Sequence, residues 1–202
     1  MTVMTRVEPA LVPDCATHLT GLVSGANVRT PCGERRVENL RPGDLIVTRS
    51  DGLQVLRHVV RVTLSHEDLR KNPGLAPIRL MPRALGPMMP GRTLALAPNH
   101  SVRVPAYLLA QEARDPTLKL AASDLLDTFE HAFVDLGGDT ISDGVTYHSL
   151  VFDTPQVFSV NGVLVESYAP DESSLTALDI DTQSALRRLF PELDEDRPAA
   201  LH

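Results

Sequence analysis

The sequence predicts an all-β domain with a minor helical component. Most of the chain before residue 170 consists of short apolar runs separated by turn residues, a pattern typical of antiparallel sheets. Asp51-Gly52 and Asn161-Gly162 each lie between two such runs, and both are strong signals for tight β-hairpins. In Arg41-Pro42-Gly43-Asp44 the order of Pro and Gly favours a type II turn. These observations predict strands joined by short turns.

The predicted strands begin on either side of Pro31-Cys32-Gly33, where the glycine tolerates a positive φ. Further strands pair across Asp51-Gly52, and the last two flank Asn161-Gly162. The segment Leu85–Arg92, rich in Pro, Gly and Met, is predicted to be a loop. The strand-like runs are Ala26–Thr30, Arg35–Val37, Leu45–Thr48, Leu53–Thr63, Pro77–Met81, Arg92–Ala97, Ser101–Val104, Val145–Asp153, Gln156–Val160 and Val163–Tyr168.

Two regions have helical spacing instead. Apolar residues between 118 and 133 recur every three or four positions, which predicts a helix over Pro116–Phe129. A shorter helical turn is expected at Ala106–Ala113. Near the C terminus, apolar residues between 185 and 190 repeat at the same spacing. Asp181 is the predicted N-cap of this last helix and Pro191 its predicted stop.

Composition and charge narrow the class of protein. The chain has 202 residues, with 19 basic and 26 acidic side chains and a net charge of −7. A pI of about 5.4 argues against a nucleic-acid binder, which needs a basic face. No apolar run approaches the roughly 20 residues of a membrane span. No signal peptide is visible at the N terminus, so the default expectation is a cytoplasmic protein, with leaderless secretion left open.

Cofactors and metals are not expected from the residues. Two cysteines, Cys15 and Cys32, are too few for a disulfide scaffold or a zinc ribbon. The seven histidines do not have the short spacing of a metal site. We therefore expect neither a cofactor nor a bound metal.

Acidic residues are concentrated at the C terminus. The segment 171–202 contains eight acidic and three basic residues, so it carries −5 of the net charge of −7. This change in composition divides the chain into an N-terminal extension (1–19), a β domain (20–170) and an acidic C-terminal helix and tail (171–202). A solvated helix with a frayed end is the simpler interpretation of the tail, and an acidic interaction segment is the alternative.

The residues from Gly21 to Gly52, which include Val37-Glu38-Asn39-Leu40 before the Gly43-Asp44 turn, resemble the opening of a Hint domain. This is the hedgehog/intein self-processing fold, and the likeness is to its bacterial stand-alone branch. The pattern continues at Leu96–Val104 and Val160–Glu166. The resemblance implies a horseshoe of short antiparallel strands and hairpins with pseudo-twofold symmetry. Its signature turn positions here are Gly25, Gly33, Gly43, Asp44, Gly52, Asn161 and Gly162.

The resemblance also implies a chemistry for which this chain keeps only part of the expected residues. In active members, a Cys or Ser at the first position attacks the preceding carbonyl, and a Thr-x-x-His element assists the departing nitrogen. Here the nucleophile position is Gly21 and the Thr position is Ala97, while His100 keeps the His position. His100 is thus a relic general acid or simply a hydrogen-bonded structural histidine. Thr20 is a weak substitute nucleophile, because a shift of one residue moves a side chain about 3.3 Å and to the other strand face.

Three functions remain open at this point. The first is a domain no longer competent for splicing or autocleavage that acts as a structural or interaction module, with an unidentified protein or its own N-terminal segment as partner. The second is residual self-processing near residue 20, which uses Thr20 or a water molecule. The third is a small-ligand or metal-binding module that uses His100 and His148. The residues expected to line the former site, besides Gly21 and His100, are Ala97, Asn99, Tyr147, His148 and Asp153.

Overall fold

A computed structural model describes residues 19–109, 116–135, 144–176 and 178–193. The all-β prediction is confirmed, because the described residues form fourteen strands and three short α-helices. One compact unit, Leu19–Ala169, contains all of the strands. They are β1 Leu22–Val23, β2 Asn27–Thr30, β3 Gly33–Arg36, β4 Leu45–Val47, β5 Leu53–Val55, β6 His58–Leu64, β7 Ile78–Leu80, β8 Leu94–Leu96, β9 Ser101–Pro105, β10 Thr117–Ala121, β11 Ala132–Val134, β12 Val145–Val151, β13 Val157–Val160 and β14 Val163–Glu166.

The strands form two six-stranded sheets and one separate hairpin. Sheet A has the order β11-β7-β8-β1-β12-β6, and sheet B has the order β10-β9-β14-β13-β2-β3, while β4 pairs with β5. Every pair is antiparallel. One cluster of buried apolar side chains joins them, with Leu22 and Leu150 from sheet A, Val28 and Phe158 from sheet B, and Ile46 from the hairpin. Burial of this apolar surface is the main force that stabilises the unit.

The tight turns at Asn161-Gly162 and Gly43-Asp44 hold the ends of strands in register. Asn161 and Gly162 have φ values of 49° and 87°, as a two-residue type I′ hairpin requires. The Asn161 side chain accepts a bond from Asn27 N and donates one to Thr93 O, each at 2.9 Å. At the other turn, Gly43 has a φ of 95°, and the Asp44 carboxylate accepts a bond from Arg41 N at 2.8 Å.

The helix predicted over Pro116–Phe129 is wrong. Thr117–Ala121 is strand β10, which pairs with β9 through five consecutive residues, and a 3-10 turn over Ala122–Leu125 follows. Helical geometry is found only in the second part of the segment, where Phe129 N donates to Leu125 O, the residue four positions earlier. Pairing with a neighbouring strand therefore overrides the local periodicity. The turn expected at Ala106–Ala113 is a 3-10 turn at Ala106–Leu109, and its remainder lies outside the described residues.

Two other segments differ from the sequence prediction. The run Leu53–Thr63 is two strands, because Leu56 lies between β5, which pairs with β4, and β6, which pairs with β12. Helix α1, His66–Lys71, was not predicted. A capping box explains where it begins, since the Ser65 side chain accepts a bond from Asp68 N and the Asp68 carboxylate accepts one from Ser65 N.

The second unit contains the C-terminal helices α2, Glu172–Thr176, and α3, Ile180–Leu189. The N-cap of α3 is Asp179, not Asp181, because the Asp179 carboxylate accepts a bond from Thr182 N at 2.9 Å. Asp181 lies in the first turn instead. In the part of the chain that the structure describes, no helix has both the length and the apolar character needed to cross a membrane.

Candidate functional site

Gly21 directly precedes the short strand β1, which lies between β8 and β12 in sheet A. Leu22 pairs with Leu96 of β8 on one side and with His148 of β12 on the other. The Gly21 carbonyl accepts a bond from Ala97 N at 2.9 Å, and the Gly21 amide donates to His100 Nδ1 at 3.2 Å. The position expected to hold the nucleophile is therefore fixed through both of its backbone polar groups.

The surroundings of Gly21 are crowded for a side chain. A Cβ atom built there would lie 3.0 Å from Tyr147 Cβ, 3.1 Å from His148 N and 3.1 Å from Ser149 Oγ. The φ angle of Gly21 is 139°, in a region that residues with a Cβ rarely adopt. Both the backbone conformation and the close approach of β12 therefore favour glycine at this position.

The peptide bond between Thr20 and Gly21 is contacted at both ends. Ser149 Oγ donates to the Thr20 carbonyl at 2.9 Å, and the Thr20 and Ser149 hydroxyl oxygens are 3.3 Å apart. On the other side of the bond, His100 Nδ1 accepts the Gly21 N–H. Ser149 thus supplies a hydroxyl donor to a site where the Thr position is occupied by Ala97.

His100 is buried in its neutral form. Only 4% of the residue is exposed, and burial lowers its pKa to about 4. Because Nδ1 accepts the Gly21 amide hydrogen, the neutral ring carries its own proton on Nε2. Within the described residues, this buried Nε2 has no hydrogen-bond partner. His100 therefore acts as a hydrogen-bond acceptor for the backbone and is not a charged acid near neutral pH.

His148 lies on the opposite face of sheet A from Ser149. Successive residues of a strand point to opposite faces, and the register places His148 across from Leu22 and Arg61. His148 Nε2 lies 2.9 Å from the hydroxyl of the exposed Ser24. Burial and the charge of Arg61 lower the pKa of His148 to about 4. His148 thus binds the turn after β1 and lies apart from the Thr20–Gly21 contacts.

The other predicted site residues have different surroundings. Tyr147 and Ala97 are buried beside Gly21, and the Tyr147 hydroxyl donates to Leu75 O at 2.7 Å. Burial raises the pKa of Tyr147. Asn99 is partly buried in the turn between β8 and β9. Asp153 follows the end of β12 and forms an exposed ion pair with Arg57 at 2.6 Å, so its carboxylate is engaged outside the Gly21 contacts.

Metal-binding groups do not cluster in the described ranges. No set of three His, Cys, Asp or Glu side chains there is close enough to hold an ion. Cys32 is an exposed free thiol in the turn between β2 and β3. Cys15 lies outside the described residues.

Sequence reasoning assigned no role to two serines that contact this region. Ser149 reaches the Thr20 carbonyl and Ser24 reaches His148. The alternation of a strand offers a signal for Ser149, because it shares a face with the buried Tyr147. No comparable signal exists for Ser24, since it lies in the turn after β1, where the alternation of a strand does not apply.

The comparisons with known proteins give one family-model match and several similar solved structures. A family model described as the Hint domain matches residues 20–172. The bacterial intein-like domain from Clostridium thermocellum is 14% identical, with a TM-score of 0.49, and the match covers 74% of this chain and 99% of that one. The gp41-1 intein is 12% identical, with a TM-score of 0.46, and the match covers 73% of this chain and 98% of that one. A DnaB intein from Synechocystis sp. PCC 6803 is 12% identical, with a TM-score of 0.42, and the match covers 74% of this chain and 99% of that one. No curated protein sequence matches.

Proposed function

The chain belongs to the Hint-domain family, and we propose that it no longer splices or cleaves itself and serves as a structural or interaction module. The observation that carries the proposal is the closed environment of Gly21. Glycine supplies no nucleophile, and Tyr147, His148 and Ser149 crowd the position that the Cβ atom of a nucleophilic side chain would take. The packing thus supports the same proposal as the missing nucleophile in the sequence.

The state of His100 supports the same proposal. Amide cleavage requires a proton for the departing nitrogen. With a pKa of about 4, His100 carries that proton in only a small fraction of molecules at neutral pH. Its Nδ1 instead accepts the hydrogen of the Gly21 amide. The group that catalyses cleavage in an active member here supports a backbone strand.

The way the chain enters sheet A supports the interaction role. Thr20 O, Gly21 N and Gly21 O each have a hydrogen-bond partner in the surrounding elements. These contacts fix the point at which any preceding segment joins the domain. We propose that the domain anchors its own N-terminal segment, or a protein partner, from this fixed point.

Mass spectrometry of the freshly expressed full chain tests the proposal. We expect an intact mass that does not change on incubation with dithiothreitol or hydroxylamine, because no thioester or ester forms. A fusion protein attached upstream of residue 1 should likewise stay attached. A fragment that begins at Thr20 or Gly21 would overturn the proposal.

One observation favours residual self-processing as the second candidate. The Thr20–Gly21 peptide bond has a donor on its carbonyl, Ser149, and an imidazole on its amide, His100. Attack by water would form a bond to the Thr20 carbonyl carbon, break the C–N bond to Gly21 and leave a proton on the Gly21 nitrogen. This candidate predicts a slow release of the chain that begins at Gly21, and Ser149→Ala should slow that release further.

A further inference from the structure

Two arginines lie close together on the face of sheet A that carries His148. Arg61 of β6 pairs with His148 in the register of the sheet, and Arg41 follows the 3-10 turn Val37–Asn39. Arg41 Nη1 donates to the Leu40 carbonyl at 2.9 Å, and Arg61 Nη2 donates to the same oxygen at 3.4 Å. Two guanidinium groups that share one acceptor atom are close neighbours, and their charges repel.

Neither guanidinium has a carboxylate partner in the described part of the chain. The nearby Glu38 carboxylate accepts a bond from Gly25 N at 2.8 Å and lies 3.9 Å from Arg36. Asp44 pairs with Arg35 at 2.8 Å. Asp44 also accepts the Arg41 backbone N–H, and the charge of Arg41 contributes to the lowered pKa of this carboxyl, so Arg41 is partly compensated whereas Arg61 is not.

The charge of Arg61 is therefore poorly compensated. Burial and the charge of Arg41 both lower the pKa of Arg61, because each disfavours a positive charge at that point. Arg61 thus lacks a carboxylate partner among the described residues even though the whole chain carries −7.

Ser24 adds a third donor on the same face. His148 Nδ1 is buried and has no partner among the described residues. A buried N–H without an acceptor is costly, which favours the tautomer that carries its proton on Nε2. His148 Nε2 then donates to Ser24 Oγ, and the hydroxyl hydrogen of this exposed serine is available for another acceptor.

We propose that Arg41, Arg61 and Ser24 form a binding site for a phosphate group. Arginine forms paired, charge-assisted hydrogen bonds to phosphate oxygens, and the serine hydroxyl contributes one more donor. A tetrahedral dianion uses donors from several directions and compensates both guanidinium charges. The site lies on the other face of the sheet from Ser149, so it does not depend on whether the chain cleaves itself.

Titration of the full chain with inorganic phosphate at constant ionic strength, followed by calorimetry, tests the site. We expect saturable binding that Arg61→Gln weakens by about tenfold or more. Arg41→Gln should have a similar effect. Arg57→Gln is the matched control, because it also removes one positive charge from an exposed arginine but at the Asp153 ion pair. A parallel titration with O-phosphoserine distinguishes a monoester from free phosphate as the preferred form of the ligand.

Three results would overturn the proposal. They are no saturable binding of phosphate or O-phosphoserine, binding that Arg61→Gln leaves unchanged, and an equal loss of binding in Arg57→Gln, which would indicate a response to net charge alone. Arg61→Gln is the decisive variant because Arg61 makes a single long bond to Leu40, whereas Arg41 also bonds Glu38 O and supports the turn. Circular dichroism of each variant checks that the sheet is retained.

Discussion

His100 and His148 flank the same short strand, yet they hold it in different ways. Both are almost fully buried, and burial lowers the pKa of each to about 4. His100 accepts a bond from a buried backbone amide, that of Gly21, whereas His148 contacts the exposed hydroxyl of Ser24. A lost partner is costly where water cannot replace it. The Gly21 region should therefore respond to substitution much more strongly than the Ser24 region.

The largest effect is expected for Gly21→Ala and Gly21→Cys. Each adds a Cβ atom 3.0–3.1 Å from atoms of β12 and forces a residue with a side chain into a φ of 139°. Backbone strain alone costs about 1–3 kcal/mol, and displacement of β12 adds to it. We expect a lower free energy of unfolding in urea, and no release of an N-terminal fusion by dithiothreitol from Gly21→Cys.

Gly25→Ala is the matched control for this prediction. Gly25 also has a positive φ, 94°, but a Cβ atom there has nothing within 4 Å. The Gly25→Ala variant therefore measures the cost of a side chain at a positive φ without the contacts that a Cβ atom makes at Gly21. If Gly21→Ala is no more destabilising than Gly25→Ala, or if Gly21→Cys releases the fusion, the site is not closed in the way we describe.

The second effect is a loss of stability in mild acid. An unfolded histidine has a pKa near 6.5, whereas folded His100 has a pKa of about 4. The unfolded chain therefore binds the proton more readily, so the free energy of unfolding is highest above pH 6.5 and falls as the pH drops towards 4. His100 alone contributes about 3 kcal/mol to this fall. Urea unfolding at several pH values measures it.

Substitution of single histidines shows which of them causes the loss of stability in acid. His100→Gln and His148→Gln should each make the decline between pH 6.5 and 4 less steep, even if they lower stability at neutral pH. His131→Gln, at an exposed position before β11, should leave the decline as it is. An unchanged slope in His100→Gln would contradict a neutral, buried role for this histidine.

A smaller effect is expected for Ser149→Ala. It removes the partly buried bond from Ser149 Oγ to the Thr20 carbonyl, and a bond of this kind contributes about 1 kcal/mol. Hydrogen exchange at the amides of β1 and β12 should increase together with the loss in stability. Ser159→Ala in β13 is the control, and a comparable loss there would mean that the Thr20 contact has no special weight.

The smallest effect is expected for Ser24→Ala. Ser24 is exposed, so water can take the place of its hydroxyl at His148 Nε2, and we expect less than about 0.5 kcal/mol. Thermal unfolding compares it directly with Ser149→Ala. The proposed contrast between the two faces of sheet A would be lost if Ser24→Ala were the more destabilising of the pair.

The sequence predicted those elements whose signals are local. Asn161-Gly162 and Gly43-Asp44 specify turns through the backbone freedom of a few adjacent residues, and α3 ends before Pro191. The prediction over Pro116–Phe129 was wrong because β9 offers Thr117–Ala121 a full set of hydrogen bonds that periodicity does not reveal. The N-cap of α3 is Asp179 and not the predicted Asp181 for a local reason, since the Asp179 carboxylate reaches the orphan amide of Thr182.

The sequence by itself determined that position 21 has no nucleophile, that position 97 has no hydroxyl and that a histidine remains at position 100. Tertiary structure alone decided that a side chain at position 21 would meet Tyr147, His148 and Ser149. It also decided that Ser149 and Ser24 lie on opposite faces, and that Arg41 and Arg61 share one carbonyl. These contacts join residues distant in the chain, and they depend on the register of β1, β6 and β12, which only the packed sheet fixes.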